Sequence, residues 1–295
     1  MVKKLELKDK SIIEKYLRLK EHNLSSFSFT NIFIWKDFFR ITWEIIGGSL
    51  CIFMQDDIGC FMYLPPLGKA SPEIISQCFK IMADANSNKS FSRIENVERG
   101  DLDFYKSFGL AVKPRTSEYL YLKKDLVSLA GNNYKSKRSA YNYFVKNYKF
   151  KLQEFKPDFQ DECMDLFKSW LAKRKEKASD SIYQRMLEDN YSTNLLAMKY
   201  YKSLNLIGRV VKVQGEIKGY SFGFKLNKDT FCVLFEVTDT DIKGLAQYIF
   251  REFVRGLNGF SFINIMDDSG LENLKKVKIS YRPVRLEPAY VITRN

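Results

Sequence analysis

Ile207-Gly208-Arg209-Val210-Val211-Lys212-Val213, then Ile217 to Leu226, then Thr230-Phe231-Cys232-Val233-Leu234-Phe235-Glu236-Val237 form three apolar runs rich in β-branched and aromatic residues. Gln214-Gly215 and Asn227-Lys228-Asp229 separate them, and turn formers between such runs predict three antiparallel strands. Leu245 to Gly256 then has helical periodicity. Phe260 to Met266 reads as a strand, Gly270 to Lys276 as a short helix and Ala289 to Thr293 as a last strand.

The first half repeats this order. Lys8 to Lys20 has helical spacing, and Phe27 to Trp35 is dense in aromatics and expected to be buried. Ile41 to Ile46 and Leu50 to Met54 flank Gly47-Gly48 as a hairpin, and Cys60 to Leu64 is a third strand stopped by Pro65-Pro66. Ser71-Pro72-Glu73 starts a helix, with proline at its first position, running to about Ala85. Ser92 to Val97, Asp101 to Phe108 and Glu118 to Lys123 read as strand, short helix and extended segment. Local sequence agrees with this order. Ile94-Glu95-Asn96-Val97 leads to Lys113-Pro114-Arg115 and Glu118, as Ile263-Asn264-Ile265-Met266 leads to Tyr281-Arg282-Pro283 and Glu287. The expectation is an α+β chain of two similar units. The expected division is 1–125 and 126–295, with the active site in the second.

Composition narrows the chemistry. Over 295 residues, 48 Lys+Arg against 35 Asp+Glu leave +13, and 45% hydrophobic residues are enough for a core. The net charge points to a polyanion or phosphate partner. No apolar run approaches the ~20 residues that cross a bilayer, and no leader pattern is visible. The expected compartment is therefore the cytoplasm, with peripheral contact at the inner membrane face through anionic lipid as an option. His22 is the single histidine; it reads as a surface or capping residue, and two-histidine zinc motifs are impossible. The five cysteines are widely spaced, which fits reduced, buried thiols; no metal site is expected.

Three segments carry candidate chemistry. Leu126 to Gln153 holds six basic residues and no acid. On a helix, Lys135, Arg138, Asn142, Lys146 and Lys149 form one stripe, while Tyr134, Tyr141, Phe144, Val145 and Tyr148 form another. The basic stripe suits phosphate, though a charge run can equally be a solvated face. Lys275-Lys276-Val277-Lys278-Ile279-Ser280-Tyr281-Arg282 is the second basic block and reads as a strand entry. It follows Asp267-Asp268, one of which can cap the short helix while the other holds a substrate ammonium. The third is Glu236, at the end of an apolar strand where an unpaired carboxylate is costly. It is a candidate general base or amine anchor. After it, Gly244-Leu245-Ala246 opens a helix whose backbone N–H groups can hold phosphate.

Taken together, these pieces resemble a known family. Its marks are Leu24 to Trp35, Lys135-Ser136-Lys137-Arg138-Ser139-Ala140-Tyr141-Asn142-Tyr143-Phe144, Lys243-Gly244-Leu245-Ala246-Gln247, and Asp267-Asp268-Ser269-Gly270-Leu271 through Tyr281-Arg282-Pro283. The chain resembles a soluble bacterial group of unknown function related to the catalytic C-terminal domain of phosphatidylglycerol lysyltransferases. That resemblance implies two tandem acetyltransferase (GNAT)-like domains, each a mixed, mainly antiparallel sheet flanked by helices, as in the Fem aminoacyltransferases. It also implies transfer of an aminoacyl group from aminoacyl-tRNA to a lipid or peptide acceptor. Asp241 stands where a CoA-binding loop carries Gln or Arg, which weakens pyrophosphate binding.

The expected activity is direct attack of an acceptor amine or hydroxyl on an activated acyl group, which needs positioning, a base and oxyanion donors but no metal or resident cofactor. The expected catalytic residues are Glu236 as base or ammonium anchor, Tyr281 as proton donor to the leaving group, and Asp268. Lys135, Lys137, Arg138, Asn142, Lys243, Gly244, Lys275, Lys276 and Lys278 are expected to hold donor phosphates. The candidate donors are aminoacyl-tRNA and acyl-CoA. The alternatives are a CoA-dependent N-acetyltransferase and a non-catalytic binder of tRNA or another phosphate ligand on a decayed enzyme fold.

Overall fold

The computed structural model describes residues 2–176 and 181–294, of which 181–187 by backbone alone. In chain order the elements are β1 (Lys3–Lys4), α1 (Lys10–Leu17), α2 (Phe29–Phe33), β2 (Arg40–Ile46), β3 (Ser49–Gln55), β4 (Cys60–Met62), α3 (Pro72–Ala85), β5 (Arg93–Glu98), α4 (Leu102–Ser107) and β6 (Ala111–Leu122). Then follow α5 (Lys123–Ser128), α6 (Lys135–Asn147), β7 (Phe150–Glu154), α7 (Gln160–Lys175), α8 (Ser181–Lys199), β8 (Ile207–Val213), β9 (Glu216–Lys225), β10 (Thr230–Thr238), α9 (Leu245–Arg255), β11 (Phe262–Asn264), α10 (Glu272–Ile279) and β12 (Arg285–Thr293).

The chain forms two compact units, residues 1–118 with 267–270 and 286–295, and residues 119–266 with 271–285. In the first, the strand order is β1-β2-β3-β4-β5-β12. β2 and β3 pair antiparallel around Gly47-Gly48, both at positive φ as a primed hairpin turn requires. β4 and β5 are parallel, and the remaining pairs are antiparallel. The Ser71 hydroxyl accepts from the Ile74 N–H at the start of α3, with Pro72 in the first turn. Ile74, Ile75, Cys78, Phe79 and Met82 of that helix pack on Cys51, Phe53, Met62 and Ile94 of the sheet.

The second unit repeats the plan with the order β6-β11-β10-β9-β8-β7. Its parallel pair is β10 with β11; the others are antiparallel. α9 buries Phe250, Phe253 and Val254 against Phe231, Val233 and Ile263. α7, with Cys163, Phe167 and neighbours, covers Val210, Tyr220 and Phe222. Both units are mixed, mainly antiparallel sheets flanked by helices.

Two details differ from the sequence reading. The expected division at 125/126 assigns each repeat its own last strand. Instead β12, which ends the second repeat, pairs with β5 through Ala289↔Glu98 and Tyr290↔Val97 and belongs to the first unit. The end of β6, which closes the first repeat, pairs with β11 through Leu122↔Phe262 and belongs to the second. Strand partners so far apart in sequence leave no local mark. The second difference is His22, expected at the surface or in a cap. It is buried, stacked on Phe27 at 3.9 Å, with Nδ1 2.9 Å from Glu98 Oε2. Burial alone would push the Glu98 carboxyl up, but His22 and the Asn23 N–H hold it below the usual range. All five cysteines are free and buried.

The buried segment Leu24 to Ile34 is tied down by polar contacts. Ser25 donates its N–H and its hydroxyl to the buried Glu118 carboxylate, and Asn31 Nδ2 donates to Ser25 Oγ. A polar run can sit in a core only when satisfied in this way.

Candidate active site

β10 positions the central carboxyl. A bulge falls between Val233 and Phe235, and the parallel pairing with β11 covers only Thr230 to Cys232. Beyond Cys232 the strand still pairs with β9, placing Glu236 opposite Ser221, while no strand among the described residues takes its other edge. Glu236 lies on this splayed portion, and its side chain is open to solvent although dense protein surrounds it at longer range. Among the described residues it has no hydrogen-bond or ion-pair partner. Desolvation by the surrounding protein pushes it up from the ordinary 4.5 to about 8, and contact with solvent opposes that shift.

Tyr281 stands beside it. The ring is buried edge-on against Phe250 at 5.1 Å, and its backbone carbonyl accepts from the Tyr134 hydroxyl at 3.0 Å. Burial, then the nearby Glu236 charge, holds the phenol well above the ordinary tyrosine range, so it carries its proton. Arg282, next in sequence, takes φ +57, a left-handed conformation that costs a non-glycine residue ~1 kcal/mol or more, and Nη2 reaches Asn133 Oδ1 at 3.3 Å. Lys137, in the first turn of α6, places Nζ 4.3 Å from the Tyr281 ring centroid.

The other expected residues separate by environment. Arg138 donates to the carbonyls of Leu129 and Gly131, and so caps the preceding loop. Lys278 is buried, with Nζ donating to the carbonyls of Ile265 at 2.6 Å and Met266 at 3.2 Å. Lys135, Asn142 and Lys276 are exposed. Lys275 pairs with Glu272 at 3.2 Å, and Lys243 lies 4.6 Å over the Tyr143 ring. The block Lys275 to Ile279, expected as a strand entry, is helical: it forms the last turns of α10 and contains no glycine or proline to stop them. Asp267 accepts from the Thr116 hydroxyl at 2.5 Å and the Ser269 N–H, and Asp268 accepts from the Gly270 N–H. Both therefore brace the turn before α10 instead of capping it; the N-cap is Leu271, and Asp268 falls in the first unit.

At the start of α9, Gly244 has φ +86, and a Cβ there would overlap the Ala140 carbonyl. The α6 backbone thus closes over this turn, while Lys173 pairs with the flanking Asp239 and Asp241 at 3.1 and 2.7 Å. Asp239 is held below the usual carboxylate range; burial opposes this, and the Asp241 N–H and Lys173 prevail. Sequence reasoning missed the supports of Tyr281, which are Phe250 and Tyr134, because apolar helix positions and loop tyrosines look alike in any core. Among the described residues no cluster of His, Cys, Asp and Glu is set to hold a metal ion, and no helix is long and apolar enough to cross a membrane.

Two units of this plan, with the carboxyl on the part of β10 that has left β11, give a tandem acetyltransferase-like (GNAT) fold. The chain belongs to the family described as phosphatidylglycerol lysyltransferase, C-terminal, whose model matches residues 17–293. It is similar in structure to a conserved protein of unknown function from Bacteroides thetaiotaomicron (TM-score 0.86, 24% identity, covering 100% of this chain and 99% of that one). It is also similar to L-PGS from Bacillus licheniformis (0.66, 19%, 97% and 92%) and to a tandem GNAT protein of the clavulanic acid biosynthesis pathway (0.53, 9%, 99% and 97%). No curated protein matches the chain by sequence.

Proposed function

We propose that this chain is an aminoacyl- or acyltransferase that moves an activated acyl group from an aminoacyl-tRNA-type ester to an amine or hydroxyl of a lipid or peptide. The observation that carries this reading is Glu236, a carboxyl without a partner among the described residues, on the part of β10 that has left β11, with its proton affinity raised by its surroundings and Tyr281 close by. A base of that affinity suits proton removal at physiological pH. The acceptor oxygen or nitrogen attacks the ester carbon and gives its proton to Glu236. The ester C–O bond breaks, and the Tyr281 hydroxyl protonates the leaving oxygen. A proton returning through water from Glu236 to Tyr281 resets the site.

Membership in a family described as lysyltransferases of phosphatidylglycerol supports a lysyl donor and a lipid hydroxyl acceptor. Acyl-CoA is the poorer fit. Its pyrophosphate would need the N-terminus of α9, where Ala140 closes over Gly244 and two aspartates flank the turn. The exposed Lys135 and Lys276 are among the cations that could meet donor phosphates. The test is label transfer from bulk tRNA charged with radioactive amino acids, lysine among them, to extracted bacterial lipids or amine-bearing peptides. The expected result is transfer that Glu236→Gln lowers by ~100-fold or more. Transfer from acetyl-CoA alone, or an unimpaired Glu236→Gln, contradicts the reading.

A further inference from the structure

Lys137 stands apart from the other cations of α6. Lys135 is exposed, and Arg138 is spent on the Leu129 and Gly131 carbonyls. Lys137 is half-buried and has neither a hydrogen bond nor an ion pair with any described residue. Its ammonium lies over the Tyr281 ring face, at 4.3 Å. The fully buried Lys278 is satisfied by the Ile265 and Met266 carbonyls, whereas the half-buried Lys137 faces the ring. Burial also holds Lys137 below the ordinary lysine range. Tyr281 cannot yield to Lys137, because Phe250, Tyr134 and the left-handed Arg282 fix it from the other sides.

We infer that Lys137 is a catalytic cation, its ammonium donating to the oxygen on which negative charge develops as the acyl group is transferred at Tyr281. This rests on the transferase reading above and adds the oxyanion donor that the reading lacks. An ammonium that faces a ring and has no hydrogen-bond partner among the described residues keeps its three N–H donors for a transient oxygen, where a fixed cation stabilises developing charge. The inference also takes Lys137 out of the phosphate-binding set to which its place in the basic run assigns it.

The experiment compares Lys137→Met, Lys137→Arg and Lys135→Met in transfer from charged bulk tRNA. Lys137→Met should lower kcat by ~100-fold or more with KM within about threefold, Lys137→Arg should recover part of that loss, and Lys135→Met should act on KM. A Lys137→Met variant that raises KM alone, or that matches the parent, overturns the inference. If the parent transfers nothing, the transferase reading fails, and trace labelling with acetic anhydride still tests the placement of Lys137. An open, unpaired amine is acetylated at least as fast as Lys135. A rate under about a tenth of that of Lys135 means an amine shut off from any substrate and overturns the inference.

Discussion

Glu236 and Lys278 show how differently two charged residues can be treated inside one unit. The Lys278 ammonium is satisfied by two carbonyls, so Lys278→Ala should cost about 2 kcal/mol in denaturant unfolding by leaving them bare, while Lys275→Ala on the same helix should cost well under 1. Glu236 has no such partner among the described residues, and its raised affinity for protons sets the sign of a pH effect. Between 4.5 and about 8 the folded chain keeps this proton while the unfolded chain releases it, so this site's contribution to stability falls as pH rises through that window. Glu236→Gln removes the loss. Its Tm relative to the parent should therefore climb from pH 4.5 to pH 8; a constant difference would contradict the raised proton affinity of Glu236. Glu236 was legible in sequence because a carboxylate ending an apolar strand is anomalous. The carbonyl-bound roles of Arg138 and Lys278 were not, since a lysine pointing inward and one pointing outward share the same letter in a basic run.

At the scale of elements, α6 and α9 meet through Gly244, whose positive φ and contact with Ala140 both require the missing side chain. Gly244→Ala should cost ~2–4 kcal/mol in chemical denaturation, combining backbone strain with overpacking. Gly215→Ala, at φ +92 but with open space around it, should cost only about 1. An equal cost at both positions would mean that α6 does not press on the turn. The glycine was visible as a helix opener, and phosphate binding was the natural first reading of it; the packing partner lies a hundred residues earlier and could not be read locally. The strands from Ile207 to Thr238 were legible because turn residues bracket each apolar run. α10 was misread at its end, since Lys275 to Ile279 alternates charge and aliphatic residues in a pattern that serves either a strand or a turn of helix.

For the whole molecule, a net charge of +13 becomes meaningful once its members are sorted. Arg138 and Lys278 are bound to carbonyls, Lys173 is paired with aspartates, and Lys135 and Lys276 are exposed. If tRNA is the donor, the slope of log affinity against log salt should be steep, and removing Lys135 or Lys276 should reduce it by about 0.7–0.9 each. Removing Arg138 should act on stability instead. The duplication was legible from its order of elements, but the exchange of final strands between the repeats was not, because pairing of β12 with β5 spans most of the chain. The proposed chemistry depends most on the state of one carboxyl. Carboxyl-carbon NMR of protein labelled at glutamate, with Glu236→Gln for assignment, measures it directly. A titration near 8 for Glu236 is the predicted result, and one near 4.5 would contradict the proposed site.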